Sequence, residues 1–253
     1  SGSMEGEKFR QTVSAARDIL EPLNPEDRFN LVAFSSGIEV YSEELQGQQA
    51  TSQAIHWLET LSAQGSTDIN RALLEAAAMT STERPTYLIF LTDGLPTEGV
   101  IDSQEILENL SAVAPKNLRL FSFGVGYDVD TFLLDSLVQE HRGATTYVLP
   151  DEALDEVLST FYAQITTPLL TDLSIDFGDI SVYDVFPNPI PDLFEGSQIV
   201  LSGRFRQGGS TTLTLSGKIE NQVVDFQYND QFFNNTKPDD PVLAALPQIW
   251  ATR

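Results

Sequence analysis

The segment Tyr87-Leu-Ile-Phe-Leu91, followed at once by Thr92-Asp93-Gly94, constrains this chain more than any other stretch. Its four consecutive apolar residues, Leu88 to Leu91, are too few for an ordinary helix. Pro85 on one side and Gly94-Leu-Pro96 on the other close both ends. A short run that is apolar on both faces suits a strand of a parallel sheet covered by helices. Ligands of such sheets bind just beyond the carboxyl ends of the strands, so Asp93 stands where chemistry is expected.

The flanking sequence alternates in the way that sheet requires. Phe9, Val13, Ala16 and Leu20 form a helical stripe that stops at Pro22 and Pro25. Phe29 to Phe34 reads as a strand, with Ile38 to Tyr41 as an antiparallel edge neighbour across Ser35-Ser-Gly37. Ala54, Trp57, Leu58 and Leu61 mark a second helix. Ile69, Ala72, Leu73 and Ala76 mark a third, with Ser66 or Thr67 placed to cap it. Beyond the central strand come a capping box at Asp102-Ser-Gln-Glu105, a strand at Asn117 to Gly124, a helix from Asp130 to Glu140, a strand at Thr145 to Leu149 and a helix from Asp151 to Ile165. Strands separated by helices predict an α/β, doubly wound, mainly parallel sheet.

At Thr166-Thr-Pro168 the texture changes. Leu173 to Phe177, Val182 to Phe186, Gln198 to Ser202, Thr211 to Leu215 and Val223 to Tyr228 are short alternating runs divided by Gly, Pro and Asn. They predict a smaller all-β, sandwich-like domain over residues 167–235. Pro187-Asn-Pro-Ile-Pro191 reads as a stiff connector. Residues 236–253 form a tail in which Val242 to Trp250 has the composition of a short helix.

With 253 residues and 41% hydrophobic composition the chain is long enough for two domains. Its 14 basic against 37 acidic residues give a net charge of -23, which repels nucleic-acid phosphates and anionic membrane surfaces. No run is long and apolar enough to insert in a membrane, and the absence of cysteine excludes disulfides and thiolate metal sites. His56 lies in a helix beside Trp57, and His141 precedes Arg142-Gly143 at a helix end, where helix-dipole and cap explanations suffice. There is no Gly-x-Ser-x-Gly elbow to make a hydrolase and no Gly-x-x-x-x-Gly-Lys-Ser/Thr cradle for nucleotide phosphates. Gly124-Val-Gly126 reads as a turn.

Three loops carry hydroxyls or acids where strands end: Ser1-Gly-Ser3, Gly65-Ser-Thr67-Asp68 and Thr92-Asp93-Gly94. Singly, Thr67 reads as a helix cap and Asp93 as a turn residue. Together, in this order, they resemble the von Willebrand factor type A fold, whose metal-ion-dependent adhesion site uses an Asp-x-Ser-x-Ser loop, a Thr from a second loop and an Asp from a third. The resemblance covers residues 1–166. It implies that Ser1, Ser3 and Thr67 are hydroxyl ligands of Mg²⁺, or of Mn²⁺ or Ca²⁺, with Asp93 acting mostly through a water. Oxygen donors suit such hard cations. The family's first Asp would fall two positions before Ser1, together with the first strand of the sheet. The resemblance therefore implies an N-terminally truncated domain whose metal binding is weakened or lost.

Val182 to Gly196, Ile199 to Phe205 and Leu246 to Arg253 look like the region that follows the type A domain in inter-alpha-trypsin inhibitor heavy chains and their bacterial relatives. The function implied is a non-enzymatic adhesion module that engages an Asp or Glu of a protein partner through the metal, secreted or at the cell surface or envelope. A metal-independent interaction scaffold is the alternative, and a hydrolase using a Ser with His56 or His141 is a third.

Overall fold

The computed structural model describes residues 2–81, 84–165, 168–194, 196–219 and 222–234, with Ser3, Gln164 and Pro168 defined by their backbone only. Ser1, the joint at Thr166-Thr167 and the tail over 236–253 lie outside the described residues. The chain divides into two compact units, residues 1–166 and 167–253.

The first unit runs α1 (Glu7–Leu20), β1 (Arg28–Phe29), β2 (Val32–Phe34), β3 (Ile38–Val40), β4 (Gln46–Gly47), α2 (Thr51–Thr60), α3 (Ile69–Ala78), β5 (Thr86–Thr92), α4 (Ser103–Val113), β6 (Leu118–Val125), α5 (Thr131–Glu140), β7 (Thr145–Val148) and α6 (Leu154–Ile165). The strands β5, β6 and β7 lie side by side in that order and are parallel, from Thr86↔Leu118 to Thr92↔Gly124 and from Ser122↔Thr145 to Val125↔Val148. β5 is the terminal strand of this ladder, whereas β2 belongs to a separate antiparallel pair with β3.

All eight residues of β6 are buried, because helices cover both of its faces. Leu120 joins Leu73 of α3, Ile106 and Leu110 of α4 and Leu134 and Leu137 of α5 in one core cluster. Phe121 and Phe123, one residue out of phase, pack instead on Phe161 of α6, with ring centroids 4.9 Å apart in each case. This alternation makes the sheet doubly wound. Each fully buried aromatic or aliphatic side chain contributes about 1.5–3 kcal/mol of burial free energy.

Local chemistry sets the element ends. Asp102 and Asp130 accept hydrogen bonds from the backbone N–H groups of Glu105 and Leu133, both at 2.9 Å, and so start α4 and α5. The cap of α3 is Asp68, whose Oδ1 accepts from Arg71 N at 3.0 Å, and not the expected Ser66 or Thr67. The expected strand Phe29 to Phe34 is two short strands. Between them the Asn30 side chain accepts from Leu31 N and Ser42 N and donates to Ser42 O, replacing ladder bonds with side-chain ones. β1 pairs with β4, which the sequence pattern did not announce. The last helix begins at Leu154 and not at Asp151, because Leu149 and Glu152 close a turn first through Leu149 N to Glu152 Oε2 and Glu152 N to Leu149 O.

The second unit contains β8 (Pro168–Asp176), β9 (Val182–Phe186), β10 (Leu193–Phe194), β11 (Ser202–Phe205), β12 (Gly209–Ile219) and β13 (Gln222–Phe233). They form an antiparallel sheet in the order β10-β8-β12-β13 and an antiparallel pair β11-β9. Phe233 of β13 meets Phe205 of β11 edge to face at 5.3 Å, which brings the two sheets together. The run expected as a strand from Gln198 enters a ladder only at Ser202; Val200 is 71% exposed and has no face to pack against.

Candidate functional site

The parallel register places the carboxyl ends of β5 and β6 side by side, since Thr92 is level with Gly124. Asp93 follows directly and its side chain is fully buried; a buried carboxylate needs a partner that offsets its lost hydration. Lys8, in the first turn of α1, supplies one: its Nζ lies 3.0 Å from Asp93 Oδ2.

Backbone hydrogen bonds tie together the three loops singled out from the sequence. Gly2 N donates to Gly65 O at 3.0 Å, joining the first loop to the second. Thr97 N and Glu98 N both donate to Thr67 O, at 3.0 and 3.3 Å, and Thr67 N donates to Thr97 Oγ1 at 2.9 Å. The second loop is thus held to the segment that follows Asp93. Thr67 and Asp93 are both buried, and the freed role of helix cap falls to Asp68. Gly99, at φ 68°, makes this junction possible: a Cβ there would lie 2.8 Å from both carboxylate oxygens of Asp68.

The expected ligands are therefore treated differently by the structure. Thr67 and Asp93 sit on loops that meet at one sheet edge. Ser3 belongs to a short 3-10 turn, Gly2–Met4, anchored beside Gly65; its side chain and the whole of Ser1 lie outside the described residues. The donors that are described, a threonine hydroxyl and an aspartate carboxylate, are hard oxygen groups of the type Mg²⁺ takes, so the chemistry of the set fits the ion the resemblance implies. Among the described residues no group of three or more His, Cys, Asp and Glu side chains is gathered for a metal. A site here would rest on hydroxyls.

Sequence reasoning missed Lys8, Asp68 and Thr97. Lys8 and Asp93 are 85 positions apart, and nothing in the local pattern of either points to the other. Exposed apolar side chains also occur in the segments after the parallel strands: Leu95 after β5, Ile101 before α4, Tyr127 after β6, Phe132 in the first turn of α5 and Leu149 after β7. Tyr127 is 77% and Phe132 61% exposed. The Tyr147 hydroxyl donates to Asp135 Oδ1 at 2.8 Å, and burial together with that carboxylate pushes its pKa well up, so it stays protonated.

The two histidines lie elsewhere. His56 is exposed on α2, with Nδ1 3.8 Å from Glu59. His141 is the C-cap residue of α5, and its carbonyl accepts from Leu120 N near the start of β6. That is the opposite end of the strand from the Asp93 edge, about 13 Å away along four residues. Helix-dipole attraction for a charged imidazole does not describe His141: burial lowers its pKa, outweighing the opposing effect of Glu140, and favours the neutral ring.

The family model for the von Willebrand factor type A domain matches residues 1–163. Inter-alpha-trypsin inhibitor heavy chain H2 of Sus scrofa is 34% identical over 216 residues, covering 81% of this chain and 23% of that protein. Heavy chain H4 of Homo sapiens is 31% identical over 240 residues, covering 90% and 26%. The chain spans about a quarter of the length of these curated relatives. Among solved structures, a von Willebrand factor type A protein from Catenulispora acidiphila superposes with a TM-score of 0.68 at 18% identity, covering 91% of this chain and 63% of that one. The ArnB paralog VWA2 from Sulfolobus acidocaldarius gives 0.60 at 20% identity, covering 90% and 62%. At such identities these two bear on the fold alone. With its parallel sheet, its helices on both faces and a family match over residues 1–163, the chain belongs to the von Willebrand factor type A domain family and is similar to the inter-alpha-trypsin inhibitor heavy chains.

Proposed function

We propose that the first unit is a non-enzymatic protein-binding module that engages an Asp or Glu side chain of a protein partner through a divalent cation. The observation that carries this reading is the tying of the Gly2, Thr67 and Asp93 loops at the carboxyl edge of the parallel sheet. Ser1, Ser3 and Thr67 are the proposed hydroxyl ligands and Asp93 the acid acting through water. Bound Mg²⁺, Mn²⁺ or Ca²⁺ supplies a coordination position for an outside carboxylate, which few protein charges compete to fill. The chain's own residues supply the rest. The β5 ladder fixes Asp93, the Thr97 hydrogen bonds fix Thr67, and Leu95, Tyr127 and Phe132 offer apolar contact around the bound acid. The second unit is proposed as an all-β domain. The similarity to heavy chains supports work outside the cell or at its surface; no helix among the described residues is long and apolar enough to cross a membrane.

A second reading keeps the same surface but no metal, and one observation favours it: Asp93 already carries a cationic partner, Lys8. Calorimetric titration of Mn²⁺ into the full-length protein and its Asp93→Ala variant separates the two. Saturable heat in the wild type that is lost in Asp93→Ala supports the metal reading. Absence of heat in both supports the metal-free scaffold.

A further inference from the structure

Lys8 stands in an electrostatically poor place. It lies in the first turn of α1, where the exposed backbone N–H groups already carry partial positive charge and a cation is disfavoured. The N-cap, Gly6, offers no side-chain acceptor to relieve it. What holds the ammonium there is Asp93: Nζ is 3.0 Å from Oδ2, with the carboxylate fully buried and the lysine side chain 37% exposed. The far side of the ammonium is bounded by the end of β6. Gly126 has φ 90°, and a Cβ there would lie 3.7 Å from Lys8 Nζ, so the positive charge sits between the ends of β5 and β6. The lysine also follows closely on the Gly2–Met4 turn that is anchored to Gly65.

An ion coordinated at this edge and the ammonium would therefore be drawn to one carboxylate from within a few ångströms of each other. Two cations so close beside a buried carboxylate repel strongly. Because the lysine is partly exposed and on a flexible four-carbon stem, it has a route to water that Asp93 lacks. We infer that Lys8 sets the divalent-ion affinity of this site: its ammonium is the resident counter-ion of Asp93 and must be displaced toward solvent for the ion to bind. The inference rests on the metal reading given above, and it adds a residue that the three loops alone do not include. It also reconciles the two readings, because a strong Lys8–Asp93 pair yields a module that takes its ion only where the ion is abundant.

The test uses the full-length protein with Lys8→Met, which keeps most of the side chain's bulk without its charge, and Lys8→Arg, which keeps the charge. Mn²⁺ affinity by calorimetry should rise at least tenfold in Lys8→Met and stay near the wild-type value in Lys8→Arg. In chelator, Lys8→Met should melt at lower temperature than wild type, and adding Asp93→Asn should restore most of the loss, since the buried charge that needed a partner has gone. Wild-type protein that binds Mn²⁺ while Lys8→Met binds it no more tightly overturns the role of Lys8 and leaves the metal site standing. No Mn²⁺ binding in wild type, Lys8→Met or Lys8→Arg overturns the metal reading and this inference with it. If Lys8→Met does not fold, Lys8→Gln replaces it in the same comparison.

Discussion

The central strand of the first unit and the outer strand of the second are opposites. All eight residues of β6 are buried, whereas ten of the twelve residues of β13 are exposed, with Val223 at 70% and Phe232 at 71%. β6 is fixed by packing from both faces. β13 is fixed mainly by its ladder to β12, which runs from Gly209↔Phe233 to Ile219↔Gln222. The difference explains where a site can be built. A buried acid such as Asp93 needs rigid surroundings to keep its partners in place, and the ends of β5 and β6 provide them; a solvated ladder does not.

The sharpest way to break this contrast is by truncation. Phe123→Ala, which removes a fully buried ring packed on Phe161, should destabilise the first unit by about 3–5 kcal/mol. Phe226→Ala on β13, where the ring is 43% exposed, should cost less than about 1 kcal/mol. Denaturant titrations with hydrogen exchange reporting each unit separately measure both. Equal losses would mean that the second unit hides a packed face of comparable weight.

A smaller effect tests how the site edge is braced. Asp130 caps α5 through Leu133 N and also accepts a hydrogen bond from Ser103 Oγ at the start of α4. Asp130→Ala should cost about 1–2 kcal/mol in the first unit. Thr212→Ala, which loses an exposed hydrogen bond to Asn229 on the β12–β13 ladder, should change melting behaviour of the second unit by less than about 0.5 kcal/mol.

The smallest contrast is in pH. Both histidines lie in the first unit, and His141 has its pKa lowered by burial. The unfolded chain therefore binds the proton first as pH falls. The stability that the neutral ring contributes is whole above the ordinary value of 6.5, declines below it, and stops declining once the folded-state pKa is passed. Denaturant midpoints of the first unit should fall between pH 7.5 and 5.5, and His141→Gln should flatten that part of the slope. The second unit, with no histidine, should show no such step in the same range. An unchanged slope in His141→Gln would assign the pH dependence to other groups.

Legibility followed the range of the interaction. Asp102 was readable as a cap because a cap speaks to a backbone N–H three residues away. The strand β5 was readable because its apolar run and its flanking prolines are local. The split at Asn30 depends on Ser42, twelve positions on, and so looked like one continuous strand. Likewise Gln198 to Leu201 has the composition of a strand but finds no partner until Ser202 reaches Phe186. At the proposed site, Thr67 and Asp93 were singled out because their loops match a family pattern. Lys8 was given no role, since its meaning lies wholly in a contact 85 positions away.

Hydrogen exchange of the full-length protein with and without Mg²⁺ tests the account most directly. An ion held at the edge of the buried sheet should slow exchange in residues 64–68, in 93–98 and in the first turn of α1, and leave β12 and β13 unchanged. Loss of those changes in Asp93→Ala would complete the agreement. Protection that appears instead in residues 209–233, or no protection anywhere at saturating Mg²⁺, would contradict it.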